Sequence, residues 1–191
     1  MLAAFQEAFV ALAAHARLRQ VFECDPEGAL APFQLDPSER AALLGIPFAR
    51  WEGFARSLLA KRWGEFARVV PLTLRVVPSL GDRYLRWASE HPARVYDGVL
   101  SPGIAEGLRA LAALPAQLAR DEGQAVYGAE LLAFEVLRAA SRADGVARTL
   151  SSCFEIGAIA QDVRHGLLPI DPEPRPMEYR FTRSSLDWRS L

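Results

Sequence analysis

Few residues of this chain have the types and spacing that catalysis or metal binding needs. Its three histidines, His15, His91 and His165, and its two cysteines, Cys24 and Cys153, are scattered along the sequence. None has a companion at the short separations that zinc or iron ligands use, so no metal site is expected. The sequence contains no G-x-S-x-G nucleophile elbow, no G-x-x-x-x-G-K-[ST] phosphate loop and no G-x-G-x-x-G after a strand. Glu130 and Glu135 share one helical segment, but five residues turn a helix by about 140°, a poor disposition for two cooperating carboxylates. Cys153 stands at an expected helix start, where the dipole would favour a thiolate. A small buried residue is the plainer reading of it, and no catalytic residue is assigned.

The elements that would position these side chains are mostly helical. Leu2, Phe5, Phe9 and Leu12 form one apolar stripe and predict a helix over 2–20, ended by Pro26 and Gly28. LDPSERAALLG carries both ends of a short helix: Asp36 as N-cap, Pro37 at the first position, Glu39 completing a capping box, and Gly45 as a left-handed C-cap. From Pro47, a long aromatic amphipathic helix includes Trp51, Leu59, Trp63, Phe66 and Val70. Pro71 must kink or end it. A helix through Leu80, Tyr84 and Trp87 stops at His91-Pro92, and VYDGVLSPG reads as a loop. Ser101-Pro102 caps a further helix, and Pro115 opens one running through Ala140 to Asp144-Gly145.

The rhythm then changes. Ser152 and Glu155 have capping-box spacing before a short helix closed by Gly166. In MEYRFT, Met177, Tyr179 and Phe181 alternate with Glu178, Arg180 and Thr182, the period of a half-buried strand. Leu186 and Trp188 repeat the alternation and predict a hairpin, with RTLS at 148–151 the candidate for a third strand. The expected architecture is mainly α: a helical domain over 1–145 and a small α+β module over 146–191, with two or three short antiparallel strands and a helix.

With 191 residues, 51% of them hydrophobic, the chain can bury a good core without disulfides. Its apolar runs are too short to span a bilayer, and MLAAFQEAF lacks the basic start of a secretory signal. A reduced cytoplasmic setting is expected, with no membrane association. The net charge of −1 hides a concentration of positive charge: residues 48–94 hold nine basic and four acidic side chains. Much of it lies in KRWGEFARVVPLTLRVVP, from Lys61 to Pro78, which includes the only lysine of the chain. Trp63 and Phe66 there are either core or a partner surface. Arg62 and Arg68 either snorkel around that ridge, pair with Glu65 and its neighbours, or meet an acidic visitor. At the other end, a short sheet offers an edge that must be blunted or used, and one use is to accept an extended peptide as an added strand.

The order of FQLDPSERAALLGIP, LLAKRWGEFARVVPLTLRVVP, YLRWASEHP and the acid-bearing ELLAFEVLRAA resembles the partner-protein family of the multinuclear non-heme iron-dependent oxidative enzymes. The likeness is to members of the methanobactin biosynthesis protein C type and covers roughly residues 33–190. It implies a non-catalytic subunit of a heterodimer that binds a ribosomally made precursor peptide by its leader and presents the core peptide to an iron-bearing oxidase. The oxidase would convert cysteine, in the methanobactin case to an oxazolone with a neighbouring thioamide. This chain would hold no cofactor, the iron belonging to the partner. The leader-binding sheet of the family would match Met177, Glu178, Tyr179, Arg180, Phe181, Thr182 and Arg183, with Trp188 on the companion strand. Lys61, Arg62, Trp63, Phe66, Arg68 and Arg75 would dock the oxidase or an acidic part of the leader. A helical nucleic-acid-binding regulator is the competing class; the near-neutral total and single lysine weigh against it.

Overall fold

The structure is a computed structural model that describes residues 2–92, 98–119 and 125–191. The described residues form eleven helices and one three-stranded antiparallel sheet at the C-terminal end, a mainly α architecture with a small α+β portion. Contacts divide the chain into two compact units: Met1–Lys61 with Leu85–Arg94, and Arg62–Tyr84 with Val95–Leu191. This differs from a boundary near 145, because the sheet packs on helices that precede it. The expected loop at 95–103 falls partly outside the described residues, as does the stretch between 119 and 125.

In the first unit, the helix expected over 2–20 is two, α1 (Leu2–Ala14) and α2 (Ala16–Cys24), separated by His15 in extended backbone at φ −105° and ψ 106°. The break lets Arg19 of α2 turn back on the end of α1. Its guanidinium donates to the carbonyls of Leu12 at 3.1 Å and Ala13 at 3.0 Å, two groups that a helix end leaves unsatisfied, and to Glu52 at 3.0 Å. Pro26 does not end the helical run but starts α3 (Pro26–Leu30), with Asp25 as N-cap accepting from the Gly28 N–H at 3.0 Å. The capping box at Asp36 forms as expected and opens α4 (Pro37–Leu44). Gly45 departs from expectation: at φ −70° it stays in the right-handed region. Leu12, Phe22, Leu30, Leu43 and Trp51 make the core of this unit, with Phe9 against Trp51 at 5.1 Å between centroids.

Helix α5 (Phe48–Ala67) contributes its last residues to the second unit. It ends four residues before Pro71, which sits in a turn ahead of the single-turn α6 (Thr73–Val76), and α7 (Leu80–Glu90) follows Pro78. Three further helices are α8 (Pro102–Ala110), capped by Ser101 as the sequence predicts, α9 (Leu114–Leu118) and α10 (Gly128–Asp144). The single helix expected from Pro115 to Asp144 is therefore two, α9 and α10. Gly103 lets α8 sit directly on the backbone of α5: a Cβ there would lie 2.1 Å from the Glu65 carbonyl oxygen. Gly145 closes α10 at φ 77°, the left-handed conformation that favours glycine.

The sheet comprises β1 (Arg148–Ser152), β2 (Met177–Phe181) and β3 (Leu186–Ser190) in the order β1-β2-β3, with α11 (Ile156–Arg164) between the first two. Helix α11 starts later than the Ser152–Glu155 spacing predicts, and no side-chain cap forms there. Leu150, Tyr179 and Trp188 lie opposite one another across the three strands, so they share one face. On that face Met177, Tyr179 and Phe181 are buried. Phe134 of α10 meets the rings of Tyr179 at 5.5 Å and Phe181 at 5.3 Å, both edge-on.

Candidate peptide-docking site

Hydrogen-bond alternation determines which backbone groups of the sheet remain available. Thr182 donates to the Ser185 carbonyl at 3.0 Å and Leu191 to the Pro176 carbonyl at 3.0 Å. In an antiparallel pair, bonded and non-bonded positions alternate. Residues 185, 187, 189 and 191 therefore turn their backbone groups toward β2, and Leu186, Trp188 and Ser190 turn theirs outward. Strand β2 pairs on both sides and offers no free rim. The expectation that Met177–Arg183 is an open docking edge is corrected: among the described residues, the open rims are those of β1 and β3.

The side chains assigned to peptide binding are accordingly separated. Met177, Tyr179 and Phe181 are core. Glu178 and Arg180 occupy the opposite face, where Glu178 pairs with Arg189 at 2.7 Å and Arg180 lies across from Asp187. Thr182 binds Ser185 within the hairpin turn, and Arg183 is exposed beside it. Trp188 remains 62% exposed on the outward strand, on the helix-facing side.

Beside it runs a groove of about 320 Å³ bordered by β3, α10 and α11. Tyr179, Leu186 and Trp188 line its sheet side, and Phe134, Arg138, Gly157, Ala158, Gln161 and Arg164 line its helical sides. The Gly157 N–H donates to the Tyr179 hydroxyl oxygen at 3.1 Å, fixing the tyrosine against the first turn of α11. Burial, foremost, raises the pKa of that phenol. Glu155 stands at one end of the groove and is engaged by Arg175. Sequence reasoning missed the helical wall, although Arg138 and Arg142, one turn apart on α10, were a usable signal.

A second hollow, of about 220 Å³, adjoins the same helices. Phe134, Arg138 and Arg164 line it too, joined by Arg68, Pro71, Leu72, Glu135 and Arg142. Glu135 is held by the Leu72 N–H at 2.9 Å, the Thr73 N–H at 2.8 Å and the Thr73 hydroxyl at 2.7 Å. Desolvation outweighs these bonds and raises its pKa. Burial lowers that of Arg138, with Arg142 and Arg164 adding repulsion.

The segment assigned to the partner interface is largely committed within the fold. Arg62 and Phe66 are buried, a correction to their reading as surface. Arg62 meets the buried Glu106 at 2.6 Å, and Phe66 stacks on Tyr84 at 4.4 Å, with Trp63 half-buried against both. Arg75 donates to the carbonyls of Val163 at 3.0 Å and Arg164 at 3.3 Å, covering the end of α11. Lys61 and Arg68 are exposed, and Arg68 pairs with Glu65 at 2.9 Å.

Cys153 is exposed, which overturns its reading as buried. Glu130 receives its N–H and the Ser152 hydroxyl, and the nearby carboxylate charge raises the thiol pKa, the opposite of activation. Glu130 and Glu135 thus secure two different segments. Among the described residues, no three His, Cys, Asp or Glu side chains gather where they could hold a metal ion, and no helix is long and apolar enough to cross a membrane. A scan against protein-family models gives no match to this chain, and searches of curated proteins and of solved structures give none either.

Proposed function

We propose that this chain is the non-catalytic partner subunit of an iron-dependent peptide-modifying oxidase. It binds the leader of a ribosomally synthesised precursor peptide and presents the core peptide to the oxidase. The observation that supports this reading most directly is the outward row of backbone groups at Leu186, Trp188 and Ser190 beside the groove under β3. An extended leader added to that rim gains main-chain hydrogen bonds from β3, and its alternate side chains fall into the groove. Affinity then comes from backbone and specificity from the wall. The iron belongs to the partner, with cytoplasmic assembly as a heterodimer.

Co-expression with the products of neighbouring genes, followed by copurification, tests the pairing: a stable complex with an iron protein and leader-dependent peptide binding are expected. Proline at Ser190 removes an outward donor without breaking the β2–β3 ladder, as edge strands allow. Ser190→Pro is expected to weaken leader binding by about tenfold, on the scale of a hydrogen bond lost with some strand geometry, while circular dichroism stays unchanged. Unaltered affinity would remove β3 as the docking rim. Tight duplex DNA binding with a steep salt slope would instead favour the regulator class.

A further inference from the structure

Among the described residues, the side chains of Arg138, Arg142 and Arg164 make no ion pair or hydrogen bond; Arg138 is half-buried, Arg142 and Arg164 are exposed, and Arg164 favours the charged form of nearby Glu135 only through space. Arg138 and Arg164 border both the groove under β3 and the adjoining hollow, and Arg142 borders the hollow. Arg142 and Arg164 both repel the half-buried Arg138, and an anion joining the three would relieve that repulsion. Neither nearby carboxylate is spare. Glu135 is engaged by Leu72 and Thr73, and Glu155 by Arg175 at the far end of the groove. Arg75 covers the last carbonyls of α11, so the negative end of that helix does not repel an anion beside Arg164.

We propose that Arg138, Arg142 and Arg164 form a carboxylate-binding site that reads an aspartate or glutamate side chain of an extended peptide laid along β3. This rests on the peptide-docking reading and adds the chemistry it selects. The occupant is a peptide rather than a nucleic acid because the charge borders a strand rim, with Phe134, Tyr179 and Leu186 supplying an apolar wall. Helix α11 has nine residues and is about 13 Å long, at 1.5 Å per residue. An extended chain crosses that length in about four residues, so two side chains on the groove face fit. The residue nearer Glu155 is neutral, and the one nearer Arg164 is acidic. Guanidinium forks grip a carboxylate with two parallel bonds and reward this geometry more than an ammonium would.

The test is selection from an mRNA-displayed library of random twelve-residue peptides on the full chain, with affinities of recovered peptides read by fluorescence anisotropy. Recovered peptides are expected to carry one aspartate or glutamate at a fixed position. Arg138→Gln and Arg164→Gln are each expected to weaken them about tenfold or more, as for a lost charge-assisted bond, with Arg164→Lys in between. Replacing the acidic residue by its amide should weaken binding to wild type equally and to Arg164→Gln much less. Peptides that lose affinity with Ser190→Pro but show no acidic preference and ignore the arginine variants would overturn the carboxylate site and leave β3 docking intact. Recovery of no binding peptide would overturn both. Binding of duplex DNA through these arginines, without peptide binding, would overturn the choice of occupant.

Discussion

At the scale of single residues, Arg62 shows how the chain uses charge inside itself. Its side chain is 7% exposed and that of Glu106 only 2%. Removing one member of a buried pair strands the other charge, which costs about 3–5 kcal/mol, whereas replacing both by apolar groups is close to neutral. Arg109 reaches the same carboxylate at 3.4 Å, so Arg62→Met leaves Glu106 its weaker partner and is expected to lower unfolding free energy in urea by about 2–3 kcal/mol, and Arg62→Met with Glu106→Leu to recover part of it. The sequence presents Arg62 as one cation in a basic run because its partner is 44 positions away. Asp144 behaves differently. The Arg148 guanidinium at the start of β1, first among several bonds, lowers its pKa from 3.8 to about 2. A depressed acid contributes stability above its unfolded pKa and loses it as pH falls through the folded one. Asp144→Asn should therefore melt below wild type at pH 7, with the two curves converging between about pH 4 and pH 2 in calorimetry.

Among elements, ends were legible where local chemistry writes them and illegible where a distant side chain does. The Asp36 capping box, the Ser101-Pro102 start, the Gly145 stop and the alternation of MEYRF are contained within a few residues and appear as read. The break at His15 has no such local mark: Arg19 bonds the end of α1 from the next helix. Pro71 announces an interruption but not how its neighbours are satisfied. Glu135 of α10 supplies the missing acceptor for Leu72 and Thr73, more than sixty positions away. Glu135→Ala would leave two buried N–H groups and a buried hydroxyl without that acceptor, a loss of about 2–4 kcal/mol. Denaturant midpoints check this, and hydrogen exchange at Thr73 should accelerate first. The docking site was half legible for the same reason: strand alternation revealed the sheet, but pairing on both sides of β2 is non-local and moved the free rim to β3.

For the whole molecule, the decisive fact is which elements share a core. The change from helical to alternating rhythm near 145 suggests a separable module, yet the contacts place β1, β2, β3 and α11 in one compact unit with α8, α9 and α10. Met177, Tyr179 and Phe181 of β2 and Ile156, Ile159 and Val163 of α11 are all buried. Phe134 of α10 owes part of its cover to the first of these groups. Burying such side chains contributes about 1.5–3 kcal/mol each, so together they supply on the order of 10 kcal/mol, comparable to the whole stability of an ordinary domain. A chain cut after Gly145 is therefore expected not to leave a sound helical body: its α10 should exchange amide protons rapidly, and its melt should lose cooperativity. The converse also follows: a fragment from Val146 onward lacks Phe134 and Arg138, and should neither fold nor bind peptide. Sharp two-state unfolding of the cut chain, with α10 protected as in the full protein, would show that the sheet is an appendage instead of part of that core.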